Sequence, residues 1–238
     1  MRVVLRTHIK DADRLNLLDR SLHSLFTKGI DKLGSVCLLD DNSPNMEVLQ
    51  MQSLYHPLDY VRTPGPNGTK EGLVKSIRHF GSIKDPVLYC VDDLVFSSKA
   101  KDVLVNLAMN DIEEIKAYID YGLIGLFACY TEDVRAELKI KHLDYWKVPW
   151  NISYAYVCHI FSPKLQDFIL KEWALVESGA IPYPKVNDDI WVAELCERKG
   201  LAILNTMKDY AQHTGMRKRS YDIKEDEYSE YVSTCFVE

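Results

Sequence analysis

Two adjacent aspartates follow an apolar run near the middle of the chain. Asp92 and Asp93 come directly after the predicted strand Val87–Val91, in the segment YCVDDLVF. An ionised carboxylate away from water is costly unless it is paired or holds a cation. Adjacent carboxylates at a strand end supply the oxygen ligands that a divalent cation takes together with substrate phosphates. The structural alternative is that one aspartate caps the next turn and the other is solvated, and these two residues alone leave both readings open.

Other polar residues follow other predicted strands. Arg6 and Thr7 end a first strand at residues 2–7, and Asp40 and Asp41 follow a second strand at residues 35–39. In a parallel sheet, ligands bind beyond the carboxyl ends of the strands, where these side chains gather. The loop at residues 63–68 belongs to the same edge. The sequence therefore predicts one ligand site along this edge.

The elements that position these residues alternate along the first half of the chain. We predict helices at residues 13–28, 69–80, 99–121, 163–178 and 188–199, with the third broken near Asn110, and further strands at residues 60–62, 87–91, 122–130 and 153–161. Strand-helix alternation implies right-handed crossovers and a mostly parallel, Rossmann-like sheet in the N-terminal half. The second half is less regular. We expect a single α/β domain at residues 1–216, divided into halves at residues 1–98 and 99–216, and a charged tail at 217–238.

Composition restricts the class of protein. The 238 residues are 47% hydrophobic and 27% charged, as in a chain with a sizeable core, and the net charge of −6 argues against non-specific nucleic-acid binding as the main role. Six dispersed cysteines favour buried thiols over disulfides or zinc. The N-terminal apolar run is too short for a signal peptide, and the longest apolar stretch, near residues 121–130, is too short to cross a bilayer. We therefore expect a cytoplasmic protein without a membrane span.

The order of these segments resembles the GT-A fold of nucleotide-sugar-dependent glycosyltransferases. The first strand, VVLRT, ends where that family contacts the nucleotide, and LLDDNS resembles the acidic end of its second strand. CVDDL resembles the DXD motif, but Val91 stands where the family often has its first acid, so the match is x-Asp-Asp. The resemblance covers roughly residues 1–215, and each motif is short.

The resemblance implies a metal and a catalytic base. A cation, Mn²⁺ or Mg²⁺, would be held by Asp92, Asp93 and a late histidine, His213. Asp188 and Asp189 open a helix where inverting members carry their base, so we expect Asp189 to act on the acceptor and Asp188 to cap the helix. The structural alternatives are two helix-terminal acids and a polar surface histidine.

The resemblance also implies residues for the two substrates. The donor would be a nucleotide sugar, with a UDP- or GDP-sugar favoured. Its expected contacts are Arg6, Thr7, Asp40, Asp41, Asn67, Lys70, Arg78, Asp92, Arg217 and Arg219. Trp150 and Tyr154 offer aromatic faces to an acceptor, with core packing as the alternative. The acceptor stays open among a glycan, a protein, a lipid and a hydroxylated nucleic-acid base.

Two other functions compete with this hypothesis. A sugar-nucleotidylyltransferase has a similar fold but carries a glycine-rich phosphate loop after its first strand, and residues 7–13 contain no glycine. A non-catalytic nucleotide-sugar-binding module would keep the pocket and lose the base and the metal ligands. We further expect residues 213–222, hinged at Gly215, to close over the diphosphate and bring Arg217 or Arg219 to the phosphates.

Overall fold

The structure is a computed structural model that describes residues 1–63, 69–81, 84–128, 132–150, 158–214 and 235–238. In this part of the chain the strands are β1 (Arg2–Thr7), β2 (Val36–Asp40), β3 (Asp59–Arg62), β4 (Val87–Val91), β5 (Leu94–Phe96), β6 (Tyr121–Gly125), β7 (Tyr145–Val148), β8 (Cys158–Phe161), β9 (Ala202–Thr206) and β10 (Ala211–His213). The helices are α1 (Ala12–Thr27), α2 (Gln50–Leu54), α3 (Thr69–Phe80), α4 (Ala100–Asn106), α5 (Ile112–Tyr118), α6 (Glu132–Glu137), α7 (Pro163–Glu177) and α8 (Asp188–Arg198).

The described strands form one large sheet and one small one. The large sheet has eight strands in the order β3-β2-β1-β4-β8-β6-β9-β7, and β5 pairs with β10 in a separate two-stranded sheet. β3, β2, β1 and β4 are parallel, whereas β8 is antiparallel to β4 and β6, and β7 is antiparallel to β9. The predicted α/β fold, with a parallel N-terminal half and a mixed second half, is confirmed.

Some predicted boundaries were wrong. The third helix stops at Tyr118, because Tyr121 already begins β6, and a π-helical turn at Leu107–Asp111 lies where the break near Asn110 was expected. The strand predicted at residues 122–130 runs only over Tyr121–Gly125, and Cys158–Phe161 is the described part of the strand predicted at 153–161. The short strands β5, β7, β9 and β10 were not predicted.

Helices cover both faces of the sheet. In β1, Val3 and Leu5 pack with α1 on one face, whereas Val4 packs with α3, α7 and α8 on the other. This alternation follows from the two-residue period of a strand and explains why β1 reads as a continuous apolar run. Because helices cover both faces, a polar ligand can reach the sheet only at its edges.

The carboxyl ends of the parallel strands form one edge, which we call the carboxyl edge. Thr7 lies opposite Asp40, and Arg6 lies opposite Val91, so the ends of β1, β2 and β4 are level. α1 and α3 begin here because they follow β1 and β3, and α8 begins here because it precedes the parallel strand β9. Within the described ranges, no helix combines the length and apolar character that crossing a membrane requires.

Candidate active site

Asp92 and Asp93 are bridged by one arginine of α1. Arg14 donates from Nη1 to Asp93 Oδ2 at 2.9 Å and from Nη2 to Asp92 Oδ1. Asp11 caps α1 by accepting a hydrogen bond from the Arg14 amide at 2.9 Å, and this fixes the first turn. The two carboxylates are almost fully buried, so the guanidinium compensates charge that water cannot reach.

The remaining oxygens of the pair contact Thr7 and His213. The Thr7 hydroxyl donates to Asp92 Oδ2 at 2.5 Å, and His213 Nε2 lies 2.8 Å from Asp93 Oδ1. His213 reaches this position because β10 pairs with β5, and the Thr214 amide donates to the Asp93 carbonyl at 2.8 Å. The structure therefore brings together Asp92, Asp93 and His213, the three residues expected to hold a metal.

The two carboxylates titrate differently. Burial raises the pKa of Asp92 to about 6, and the neighbouring charge of Asp93 adds to this effect. Burial also opposes ionisation of Asp93, but the contacts with His213 and Arg14 outweigh it and lower the pKa of Asp93. Of the two groups, Asp92 is therefore the one whose charged form costs more free energy.

The donor atoms at this pair suit a hard cation, but their arrangement does not fit one. Three of the four carboxylate oxygens accept a hydrogen bond, two of them from Arg14 and one from Thr7, and His213 Nε2 lies 2.8 Å from the fourth, Asp93 Oδ1. Among the described residues, no group of three or more His, Cys, Asp or Glu side chains is placed to hold a metal ion. A divalent cation would have to displace a partner to bind.

Asp40 and Asp41 have different surroundings. The Asp40 side chain is fully buried and accepts hydrogen bonds from the Ser43 amide at 2.8 Å and the Tyr60 hydroxyl at 2.6 Å. Asp40 therefore holds the turn after β2. Its full burial does not support the expected contact with a nucleotide, which stays a prediction. Asp41 accepts a hydrogen bond from Thr63 at 3.0 Å and lies at the carboxyl edge.

Arg6 pairs with the start of α8. Arg6 Nη2 lies 3.7 Å from Asp188 Oδ2, and both side chains are about one-fifth to one-quarter exposed. A Cβ at Gly72 would lie 3.3 Å from Arg6 Cδ and 3.5 Å from Asp41 Oδ2, so α3 approaches both side chains closely. Lys70 of the same helix lies over the Tyr183 ring, with Nζ 5.1 Å from its centroid.

The first turn of α8 differs from the prediction. Asn187, not Asp188, is the N-cap residue, and Asp188 is helical and paired with Arg6. Asp189 Oδ1 accepts a hydrogen bond from the Ile190 amide at 2.8 Å. The expected capping role of Asp188 is wrong, because its carboxylate points to β1 rather than to its own helix.

Arg78 and Trp150 lie away from this site. Arg78 is nine residues into α3, about 13 Å from the start of the helix, and forms an ion pair with Glu177 at 2.6 Å. The end of α3 lies at the opposite edge, since Arg2 donates to the Phe80 carbonyl at 2.9 Å. The position of Arg78 therefore does not support its donor contact, which stays a prediction.

Trp150 also lies at the opposite edge. β7 runs against β9, with Val148 opposite Ile203, so β7 ends beside the start of β9. Trp150 lines a surface cavity there with residues such as Leu201 and Ala202. The register places Trp150 across the sheet from the aspartate pair, and its predicted contact with an acceptor stays a prediction.

The remaining expected residues lie outside the described ranges. They are Asn67, Tyr154, Arg217 and Arg219. The predicted closure of residues 213–222 also falls mostly there. Sequence reasoning missed Arg14, whose available signal was its place in the first turn of the helix that follows β1.

Comparison with solved structures identifies the fold. No protein-family model matches the chain. No curated protein matches it either. GalNAc-T7 with UDP, GalNAc and Mn²⁺ superimposes with a TM-score of 0.61 at 12% identity, covering 89% of this chain and 42% of that one. TarS 1-349 of S. aureus with UDP-GlcNAc gives 0.59 at 16%, covering 96% and 63%. The mannosyltransferase PcManGT of Pyrobaculum calidifontis with GDP-Man and Mn²⁺ gives 0.54 at 16%, covering 85% and 53%.

These similarities show that the chain has the GT-A glycosyltransferase fold, as the sequence predicted. The chain spans 42% to 63% of the length of these three proteins. The fold places the aspartate pair and the start of α8 at the same edge of the sheet.

Proposed function

We propose that this chain is a glycosyltransferase that moves a sugar from a nucleotide sugar to an acceptor hydroxyl, with inversion at the anomeric carbon. The observation that carries the proposal is the convergence at the carboxyl edge of a GT-A fold: Asp93 contacts His213, Arg6 pairs with Asp188, and Gly72 of α3 approaches both Arg6 and Asp41. The three similar structures are complexes with UDP, UDP-GlcNAc or GDP-Man. A UDP- or GDP-sugar is accordingly the proposed donor.

The nucleotide would bind between β1 and the start of α3. Asp41, Arg6 and Lys70 line this region, and the N-terminus of a helix favours negative charge. A carboxylate accepts hydrogen bonds from ribose hydroxyls or base N–H groups, which is the role we propose for Asp41. Arg6 would contribute positive charge near the ribose and the phosphates.

The base would come from the first turn of α8. Asp188 is engaged with Arg6, so we propose that Asp188 positions Arg6 and that Asp189 takes the proton of the acceptor hydroxyl. The acceptor oxygen then bonds to the anomeric carbon, and the bond from that carbon to the diphosphate oxygen breaks. The nucleoside diphosphate leaves with the electron pair.

No step of this proposal passes through a metal. Two of the similar structures hold Mn²⁺, and a bound Mn²⁺ or Mg²⁺ would offset the charge of the leaving diphosphate. In this chain the pair that would receive the cation already holds Arg14.

Calorimetric titration with UDP, GDP and their sugar conjugates tests donor binding. We expect wild-type protein to bind one nucleotide family, and Asp41→Ala to weaken that binding roughly tenfold, the loss expected for hydrogen bonds to a charged group. Asp167→Ala is the matched control, because Asp167 is on α7 and pairs with Lys171. Equal affinity in Asp41→Ala and wild type would remove the nucleotide from this region.

Turnover separates the proposal from its competitors. Release of nucleoside diphosphate from a nucleotide sugar supports a glycosyltransferase. Release of pyrophosphate from a nucleoside triphosphate and a sugar 1-phosphate would instead identify a nucleotidylyltransferase. Binding without either reaction, across a panel of acceptors, would identify a binding module.

A further inference from the structure

An exposed tyrosine lies at the carboxyl edge. Among the residues that the structure describes, the exposed aromatic side chains are Tyr118, Trp150 and Tyr183. Tyr118 ends α5 shortly before β6 begins, and Trp150 follows β7, so both lie at the opposite edge. Tyr183 belongs to the segment between α7 and α8 and comes shortly before Asp188. Of these three aromatic residues, Tyr183 is the one that shares an edge with the proposed base.

The ring of Tyr183 is held by α3 and α7. Lys70 Nζ of α3 lies 5.1 Å from the ring centroid, within the range of a cation–π contact. Trp173 of α7 packs against the ring in a T-shaped arrangement, with the two centroids 5.7 Å apart. Burial, a hydrogen bond with Glu71 and the charges of Glu71 and Asp188 raise the pKa of Tyr183 to about 12, so its hydroxyl stays protonated near neutral pH.

This fixed ring is still open to solvent. Tyr183 is 47% exposed although two helices contact it. Because these contacts already order the side chain, a ligand that stacks on the ring does not have to immobilise it on binding. Single exposed apolar side chains are common on protein surfaces. Tyr183 differs from them because an ammonium, a carboxylate and an indole hold it beside the candidate active site.

The groups around the ring suit a sugar. A sugar has an apolar face of C–H groups and a rim of hydroxyls, so it binds to a flat apolar surface with hydrogen-bonding groups beside it. Tyr183 supplies the flat surface, and Lys70, Glu71 and Asp188 are charged groups around it. These charges have both signs, which favours a neutral polyol over a strongly charged ligand at this ring.

We propose that Tyr183 is the platform on which a sugar ring of the acceptor stacks, so that the acceptor is a glycan or another glycoside. Asp188 acts on Tyr183 through its charge, so the first turn of α8 is close to the ring. Asp189, the proposed base, belongs to the same turn. A sugar on Tyr183 therefore presents its hydroxyls to the turn that carries the base. The inference rests on the proposed function in naming this sugar the acceptor.

The test is binding of methyl glycosides to the full chain, measured by saturation-transfer NMR with and without UDP or GDP. The probes are methyl hexosides and methyl N-acetylhexosaminides. We expect wild type to bind at least one of them, and Tyr183→Ala to weaken that binding about fivefold or more because the ring contact is lost. Tyr183→Phe keeps the ring and should stay within about threefold of wild type. Tyr118→Ala, which removes an exposed tyrosine at the opposite edge, is the matched control and should equal wild type.

Nucleotide titration of the same variants separates a direct contact from an indirect effect. Tyr183 also holds Lys70, which lines the proposed nucleotide region. If Tyr183→Ala weakened UDP or GDP binding as much as glycoside binding, the ring would act through Lys70 and the proposal would be overturned. If Tyr183→Ala folds poorly, as judged by circular dichroism, Tyr183→Leu carries the comparison, since leucine keeps apolar volume without a flat ring.

The outcomes distinguish this inference from the proposed function. Binding of no glycoside by wild type, or equal binding by wild type and Tyr183→Ala, would overturn the inference even if nucleotide sugars are turned over. Glycoside binding that depends on Tyr183, with neither binding nor turnover of any nucleotide sugar, would support the sugar contact and reject the proposed function.

Discussion

The buried ion pair between Arg135 and Asp209 makes a strong prediction about stability. Both side chains have zero exposure, and Arg135 donates to both carboxylate oxygens of Asp209 at 2.8 and 2.7 Å and to the Ala128 carbonyl at 2.7 Å. Asp209 also accepts a hydrogen bond from the Ala128 amide at 3.1 Å. Asp209→Asn leaves the guanidinium buried without a counter-charge, so we expect a loss of about 3–5 kcal/mol.

That loss is large on the scale of a whole domain. Domains unfold with a free energy of about 5–15 kcal/mol, so the loss in Asp209→Asn is roughly a third to a half of a mid-range value. Replacing both partners, as in Arg135→Met with Asp209→Asn, removes the uncompensated charge and should cost less than the sum of the single variants. Because Asp209 lies two residues before β10, its loss should also loosen the strand that carries His213.

Urea unfolding followed by circular dichroism measures these free energies. The control is Lys208→Gln, at the residue next to Asp209. This variant breaks the exposed ion pair between Lys208 and Glu132, and Glu132 lies on α6, the helix that also carries Arg135. Water and salt screen an exposed pair, so this variant should unfold close to wild type. A loss below about 1 kcal/mol in Asp209→Asn, or a double variant equal to the sum of the singles, would refute the reasoning.

Three further predictions follow from burial and from position. Burial lowers the pKa of His159 to about 4, so the unfolded chain binds the proton first as the pH falls. Stability should then drop by about 2 kcal/mol between pH 7.5 and pH 5, and His159→Gln should reduce that drop in pH-dependent urea titrations. Trp150→Ala should change nucleotide affinity by less than about twofold in calorimetry, because Trp150 lies at the opposite edge. For comparison, a loss of about 1.4 kcal/mol of binding free energy would weaken the affinity tenfold. Asp40→Ala should destabilise the fold by about 3 kcal/mol in urea unfolding, because the Ser43 amide and the Tyr60 hydroxyl lose their acceptor. Loss of nucleotide binding in Trp150→Ala, or an unfolding free energy of Asp40→Ala equal to that of wild type, would contradict these two predictions.

The first half of the fold was predictable because its signals are local. β1, β2 and β4 are short apolar runs, and α1 and α3 repeat their apolar residues with helical spacing, so strand and helix assignments needed no long-range information. The strands β5 and β10 have three residues each and form by pairing with each other. Leu94 lies opposite His213, which is 119 residues further along the chain. Such pairing has no local signature.

The candidate site was predictable as an edge but not as a set of contacts. Strand ends place Asp41 and Asp92 correctly, since parallel strands share their carboxyl edge. The sequence does not show that Asp40 is enclosed while Asp41 is at the edge, because burial depends on Tyr60 and Ser43. It also does not show that Arg14 bridges a pair that lies nearly 80 residues away, since that contact requires the folded chain.

The central claim is that the carboxyl edge carries out sugar transfer from a nucleotide sugar. The most direct test is release of nucleoside diphosphate from UDP- and GDP-sugars by wild type, Asp189→Asn and Asp188→Asn, followed at saturating donor with a panel of hydroxyl acceptors. We predict that Asp189→Asn keeps donor binding while turnover falls about a hundredfold or more, and that Asp188→Asn mainly weakens donor binding through Arg6. Turnover in Asp189→Asn equal to that of wild type would contradict the account.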